Sequence, residues 1–169
     1  MFTPLRLSCW FRRALYSVLT LMFVTGVGWL AADWQKSSPQ GDVWQTIAAW
    51  LLMVHGGGAM ATLLLIGALV PLHMHRAWRA KRNRISGGVM ALENAVLIAT
   101  SFGLYYVGSD AIRPWMSDIH IAAGFGLPLL LVVHILLGRR TARQKMQAPL
   151  QRACEVDLLD ANGARPRRR

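Results

Sequence analysis

Residues 115–138 read WMSDIHIAAGFGLPLLLVVHILLG, a run long and apolar enough to cross a bilayer as a helix. It contains two histidines, His120 and His134, which are fourteen residues apart. Fourteen residues of α-helix rotate by about 1400°, close to four full turns, and rise by about 21 Å. The two imidazoles are therefore predicted to project from one face at two depths. Ionisable side chains at membrane depth are costly, and they usually face inward and serve a function.

A second apolar run, residues 47–72, repeats the arrangement, with His55 near its start and His73 near its end. These histidines are eighteen residues apart. Since eighteen residues are five full turns of α-helix, both side chains are predicted to share a face. His75 lies about 200° around the helix from His55, which makes it the poorer candidate for an inward position.

The depths of the four histidines are counted from the arginine that follows each run, Arg76 for residues 47–72 and Arg139 for residues 115–138. His73 and His134 lie three and five residues before that arginine. His55 and His120 lie twenty-one and nineteen residues before it. The two runs thus differ by two residues at each level, about 3 Å, which a modest tilt absorbs. Both helices run in the same direction, so His55 is predicted to face His120. In the same way, His73 is predicted to face His134.

The composition indicates a membrane protein. The chain has 169 residues, of which 54% are hydrophobic. The apolar residues fall in four blocks, at about residues 14–32, 47–72, 87–107 and 115–138. Blocks of this length are typical of membrane spans rather than of a soluble core. We therefore predict an all-α fold, an integral membrane four-helix bundle.

The basic residues predict its orientation. Of the nineteen lysines and arginines, only Lys36 and Arg113 lie near the two outer connections, 33–46 and 108–114. By the positive-inside rule these connections face outward, and both termini are cytoplasmic. The same rule accounts for the net charge of +11 without a nucleic-acid partner.

Three segments are predicted along the chain. Residues 1–13 form a basic cytoplasmic N-terminus, residues 14–140 the four-span domain, and residues 141–169 a basic, disordered cytoplasmic tail able to touch anionic lipid. Residues 30–32 resemble a signal-peptide cleavage site, but the apolar run at 14–32 is longer than a usual signal-peptide core. We therefore expect the first span to be retained.

Two facing imidazoles at each of two levels predict haem. A zinc or copper site needs three or four converging ligands, whereas two opposed imidazoles suit the axial positions of a haem iron. The sequence has no Cys-x-x-Cys-His motif for covalent attachment. Two non-covalent b haems are therefore predicted, and filled axial positions favour electron transfer over oxygen chemistry. The ligands are His55 and His120 on the outer side, and His73 and His134 on the cytoplasmic side.

This pattern resembles the small dihaem b-type cytochromes, which include the membrane cytochrome b subunits of formate dehydrogenases and hydrogenases. It is similar above all to the small bacterial flavinylation-associated cytochromes, in which such a bundle passes electrons to extracytoplasmic flavoproteins. The resemblance covers about residues 14–140 and rests on the four histidines and the glycines beside them. It departs from the dehydrogenase-type subunits in the first span, which has no histidine.

The resemblance implies a multi-pass protein of the bacterial inner membrane. Such a protein relays electrons between a membrane or cytoplasmic donor, such as quinol, and an extracytoplasmic redox protein, such as a flavoprotein. It is a subunit of an oxidoreductase system rather than a stand-alone enzyme. The alternative is a cofactor-free small transporter or assembly factor whose histidines bond between helices.

The third span has no histidine but carries Glu93, about 13 Å in from Arg84 and expected to lie close to the cytoplasmic-side haem. A carboxyl group inside the membrane is a functional candidate. Glu93 is predicted either to hydrogen-bond a ligand histidine or haem propionate, or to carry the proton of a quinone. The alternative is a protonated carboxyl bonded to a neighbouring helix.

Overall fold

The computed structural model describes residues 8–81 and 83–161 of the protein, and all regular secondary structure in these residues is helical. Four helical stretches are long and apolar enough to cross a membrane. The predicted all-α fold with four membrane-length helices is confirmed, and these helices indicate a multi-pass membrane protein. The cytoplasmic location of both termini stays a prediction.

Five α-helices make up the four spans. They are α1 (Cys9–Trp34), α2 (Gly41–Leu69), α3 (His75–Arg79), α4 (Arg84–Tyr106) and α5 (Arg113–Ala161), with a 3₁₀ turn at Gln35–Ser37 and a π-helical segment at Val70–Met74. The second span is one continuous stretch made of α2, the π-helical segment and α3. The π-helical segment contains Pro71, which has no N–H to donate to the carbonyl one turn before it.

The first and last helices extend beyond the apolar blocks from which the spans were predicted. α1 begins at Cys9, where the Ser8 side chain accepts a hydrogen bond from the Phe11 N–H at 3.2 Å. α5 continues to Ala161, so residues 141–161 are helical where a disordered tail was expected. This stretch is rich in alanine, arginine, glutamine and leucine, which favour helix. The rest of the predicted terminal segments, residues 1–7 and 162–169, lies outside the described residues.

Two turns need particular residues. A Cβ atom at Gly41 would collide with the carbonyl oxygen of Lys36, so the turn between the first two spans requires glycine there. Asn83 precedes α4 in the left-handed region, with φ 47°, a conformation that asparagine tolerates better than most residues. Its side chain accepts a hydrogen bond from Thr141 Oγ1 at 3.0 Å, which ties this turn to α5.

The bundle is built from two hairpins. α1 packs along α2, and α4 packs along α5, whereas the two hairpins contact each other much less. Within each hairpin a glycine faces a methionine: Gly58 meets Met22, and Gly103 meets Met116. Between the hairpins, the rings of Phe23 and Phe125 meet edge to face at 5.7 Å.

Small side chains fill the interior of the bundle. No large side chain of the described residues is fully buried, and many large apolar side chains are exposed, as expected for helices that face lipid. The described residues that are buried are Thr25, Ala32, Ala48, Gly58, Thr100 and Gly103. The two hairpins therefore meet without a core of large buried side chains in the described residues.

Candidate functional site

The outer histidine pair consists of His55 on α2 and His120 on α5. Their ring centroids are 6.3 Å apart, and their ring planes are inclined by 74°. Both side chains are half-buried. The pair joins the two hairpins at the level that the predicted topology places nearer the outer surface.

The inner histidine pair consists of His73, in the π-helical segment, and His134 on α5. Their ring centroids are 6.5 Å apart and their planes are inclined by 81°. His75 is exposed, so it is His73 that faces His134. The structure thus brings together both histidine pairs that the sequence analysis predicted to face each other.

The separation of the rings distinguishes two kinds of contact. A direct N–H···N hydrogen bond of about 3 Å, with about 1.2 Å from each nitrogen to its ring centre, would place the ring centres at most about 5.5 Å apart. Two imidazole nitrogens on opposite sides of one metal ion, each about 2 Å from it, place the ring centres about 6.4 Å apart. The observed 6.3 and 6.5 Å exclude a direct bond at both levels and agree with the second arrangement, and they also lie in the range of edge-to-face ring packing.

The outer histidines are each held by a threonine from the neighbouring helix. His55 Nδ1 lies 2.9 Å from Thr25 Oγ1 on α1, and His120 Nδ1 lies 2.9 Å from Thr100 Oγ1 on α4. Each hydroxyl also lies close to two carbonyl oxygens of its own helix. The nearer oxygen is that of Leu21 for Thr25, at 2.7 Å, and that of Val96 for Thr100, at 2.8 Å.

These distances favour one placement of the histidine protons. A hydroxyl has one proton, and an O···O distance of 2.7 or 2.8 Å to a carbonyl requires that proton between the two oxygens. Each threonine therefore accepts a hydrogen bond from its histidine, whose Nδ1 carries the proton. In a neutral imidazole the other nitrogen, Nε2, then has the free lone pair that binds a metal.

The inner pair has one such support among the described residues. His134 Nδ1 lies 3.1 Å from Ser86 Oγ on α4, and that hydroxyl donates to the Asn83 carbonyl at 3.3 Å. No described side chain hydrogen-bonds to His73.

The sequence analysis missed these hydroxyl residues, although a signal for them was present. Ser86 and Thr100 are fourteen residues apart on the third span, the same separation as His120 and His134 on the fourth. Antiparallel neighbours with matched spacings place each hydroxyl beside one histidine. The sequence showed the spacing but not that α4 packs along α5.

Glu93 lies midway between the two levels rather than close to the cytoplasmic-side pair. It is seven residues from Ser86 and seven from Thr100 on one face of α4, about 10 Å along the axis from each. Its carboxyl group occupies the space that a side chain at Gly126 would need, since a Cβ there would lie 2.9 Å from Glu93 Oε1. The expected position beside the cytoplasmic-side site is therefore corrected to the centre of the span.

The four histidines fit a metal cofactor that supplies its own in-plane ligands. In residues 8–81 and 83–161, no three histidine, cysteine, aspartate or glutamate side chains lie close enough to hold one metal ion. Each level instead offers two imidazoles at the spacing of axial ligands, in a small-residue interior between two loosely joined hairpins. A haem supplies four equatorial nitrogens and needs two axial ligands, so the residues present fit it.

A cleft of about 600 Å³ opens beside the inner pair. It is lined by Asn83, Arg84, Ile85, Ser86 and Leu137, so it has both a polar and an apolar wall. Ser86 also contacts His134, which links the cleft to the inner level. The cleft is shallow and open, so a molecule bound there would stay partly exposed.

No protein-family model, curated protein or solved structure matches the chain. The likeness to dihaem b-type cytochromes therefore rests on the histidine pattern.

Proposed function

We propose that the protein is a transmembrane electron-transfer cytochrome that binds two non-covalent b haems. More particularly, we propose a small four-span dihaem cytochrome b of the bacterial inner membrane, of the kind associated with extracytoplasmic flavoproteins. His55 and His120 hold the outer haem, and His73 and His134 hold the inner one. When bound, the haems supply one-electron redox chemistry.

The observation that carries this proposal is the ring spacing of 6.3 and 6.5 Å at two levels. It is too long for histidines that bond directly to one another, and it suits two axial nitrogens on one iron. The cofactor-free alternative is favoured by the bonds between helices that His55 and His120 make to threonines. Those bonds use Nδ1, and no side chain of the described residues hydrogen-bonds to Nε2 of either histidine.

The chain's own residues suit electron transfer rather than substrate chemistry. Each pair would fill both axial positions of a bound haem iron, which would leave no position for oxygen or a substrate. The two levels are about 21 Å apart along α5, a large part of the roughly 30 Å hydrocarbon thickness. Exposed apolar side chains cover the outer surfaces of these helices, as expected for spans that face lipid.

The cleft beside the inner pair is the better candidate for an electron donor such as quinol. It lies beside Ser86 at the start of α4, whereas Glu93 lies near the middle of that helix. We therefore assign the donor site to the cleft. Glu93 keeps a proposed hydrogen-bonding or proton-carrying role between the two levels. The acceptor is a separate extracytoplasmic redox protein, since the outer connections are too short to form a catalytic domain.

The test is haem quantification on detergent-purified protein. The expected result is about two non-covalent haems per chain by the pyridine haemochrome assay, and a low-spin b-type difference spectrum between the reduced and oxidised forms. One haem per chain would restrict the proposal to a single level. A correctly inserted protein without haem, expressed where haem is abundant, would contradict it and favour the transporter or assembly factor.

A further inference from the structure

We propose that Thr25, Ser86 and Thr100 are positioning residues that set the orientation and basicity of the axial histidines. The inference rests on the proposed haem function and deepens it. It gives the two spans that lack histidines, α1 and α4, a defined part in the redox site. The same hydrogen bonds make the two haems unequal.

The first step is geometric. Thr25 on α1 and Thr100 on α4 hold the two histidines of the outer pair, both at 2.9 Å from Nδ1. Both threonines are buried, and each is anchored to its own helix by a bond to a carbonyl oxygen. An anchored, buried hydroxyl cannot rotate away, so each imidazole is fixed in one tautomer and one ring orientation.

The second step is the effect on the metal ligand. A hydrogen-bond acceptor for the Nδ1 proton raises the basicity of the imidazole and orients its Nε2 atom. Loss of that acceptor typically weakens metal binding by about 10- to 100-fold. A more basic imidazole donates more charge and stabilises ferric over ferrous iron. Each hydroxyl therefore lowers the midpoint potential of the haem at its own level.

The third step is the difference between levels. The outer pair has two such hydroxyls, whereas the described residues give the inner pair only Ser86, at the longer distance of 3.1 Å. The outer haem is therefore expected to have the lower midpoint potential of the two.

The experiment is a redox titration of purified protein with two bound haems, in the native chain and in single variants. Thr25→Val and Thr100→Val keep the side-chain shape and remove the acceptor, and Ser86→Ala does the same for the inner level. Thr62→Val is the matched control. Thr62 Oγ1 donates to the Gly58 carbonyl at 2.9 Å but has no hydrogen bond to a histidine in the described part of the chain.

Thr25→Val and Thr100→Val are expected to raise the potential of the same haem component. A tenfold change in the ferric-to-ferrous preference corresponds to about 59 mV for a one-electron couple. Ser86→Ala should raise the other component, Thr62→Val should move neither, and Thr100→Ser should restore the native value. If one outer variant fails to fold, the other reports on the same haem.

Two outcomes would overturn this inference: unchanged midpoint potentials in all three variants, or a shift of the same haem component by both Thr25→Val and Ser86→Ala. Two haems per chain would still support the proposed function in either case. A native protein without haem would overturn both. A purely structural role for the hydroxyls would lower haem content without a shift confined to one component.

Discussion

Both histidines of the outer pair lie in regular α-helix, whereas one histidine of the inner pair, His73, lies in a π-helical segment. The ring separations differ by only 0.2 Å, at 6.3 and 6.5 Å. The supports differ more, since a hydroxyl holds each outer histidine and only His134 of the inner pair has one among the described residues. Similar ring separations are thus reached on two different backbones. The less supported level is expected to be the more sensitive to change.

The π-helical segment explains part of this difference. Pro71 removes the hydrogen bond that would continue α2, and the helix widens for one turn before α3 resumes. π-Helical turns occur frequently at functional sites, because they shift the side chains that follow relative to a regular helix. Here the segment contains His73, which faces His134.

The largest expected effect comes from removing a ligand. His55→Ala and His120→Ala should lose the low-spin signal of one and the same haem, and bound haem should fall from about two towards one per chain. His73→Ala and His134→Ala should lose the other haem. Pyridine haemochrome assays and redox titrations of each variant measure this.

His75→Ala is the control for these ligand variants, because His75 is exposed and faces neither pair. It should retain both haems. Loss of the same component in His55→Ala and His134→Ala would contradict the pairing of levels.

A smaller effect is expected from the backbone of the inner level. Pro71→Ala restores an N–H that is able to bond to the carbonyl one turn earlier, so the segment is free to return to α-helix and rotate His73. Binding of the inner haem should weaken while the outer haem is unaffected. Haem retention during stepwise detergent washing measures the difference.

Pro128→Ala is the matched control for Pro71→Ala. Pro128 lies within α5, which continues as α-helix on both sides of it, and it is not next to either histidine of that helix. Equal weakening of both haems in Pro71→Ala would show that the π-helical segment does not serve the inner level specifically.

The smallest expected effect concerns access to the inner level alone. Leu137→Trp partly fills the cleft beside Ser86, and it should slow reduction by a quinol analogue severalfold while both haem spectra stay intact. Leu136→Trp places the same side chain next to the cleft lining and should leave the rate unchanged. Stopped-flow absorbance measures both.

Glu93→Gln offers a second comparison with the cleft variant. Because Glu93 lies midway between the levels, any change that it causes should be similar at both haems. If Glu93→Gln slowed reduction of the inner haem alone, and by as much as Leu137→Trp, the quinone site would instead be assigned to Glu93. It would also contradict the donor site assigned to the cleft.

The sequence by itself determined the four spans and the histidines that face each other. Both follow from local regularities, since the bilayer sets the length of an apolar run and the helix sets the rotation per residue. The pairing of His55 with His120 needed only the spacing within each span and a common direction for both. Extending that logic to His73 succeeded even though the π-helical segment departs from the ideal rotation used to predict it.

Tertiary structure alone decided which side chains surround those histidines. Thr25, Ser86 and Thr100 belong to spans whose neighbours the sequence does not specify, because helix periodicity is local and the choice of a packing partner is a long-range property. For the same reason, the depth of Glu93 could be counted from Arg84, but its place midway between the histidine levels depends on how α4 packs along α5. The helix beyond residue 140 also escaped prediction, because polarity alone does not distinguish a solvated helix from a disordered tail.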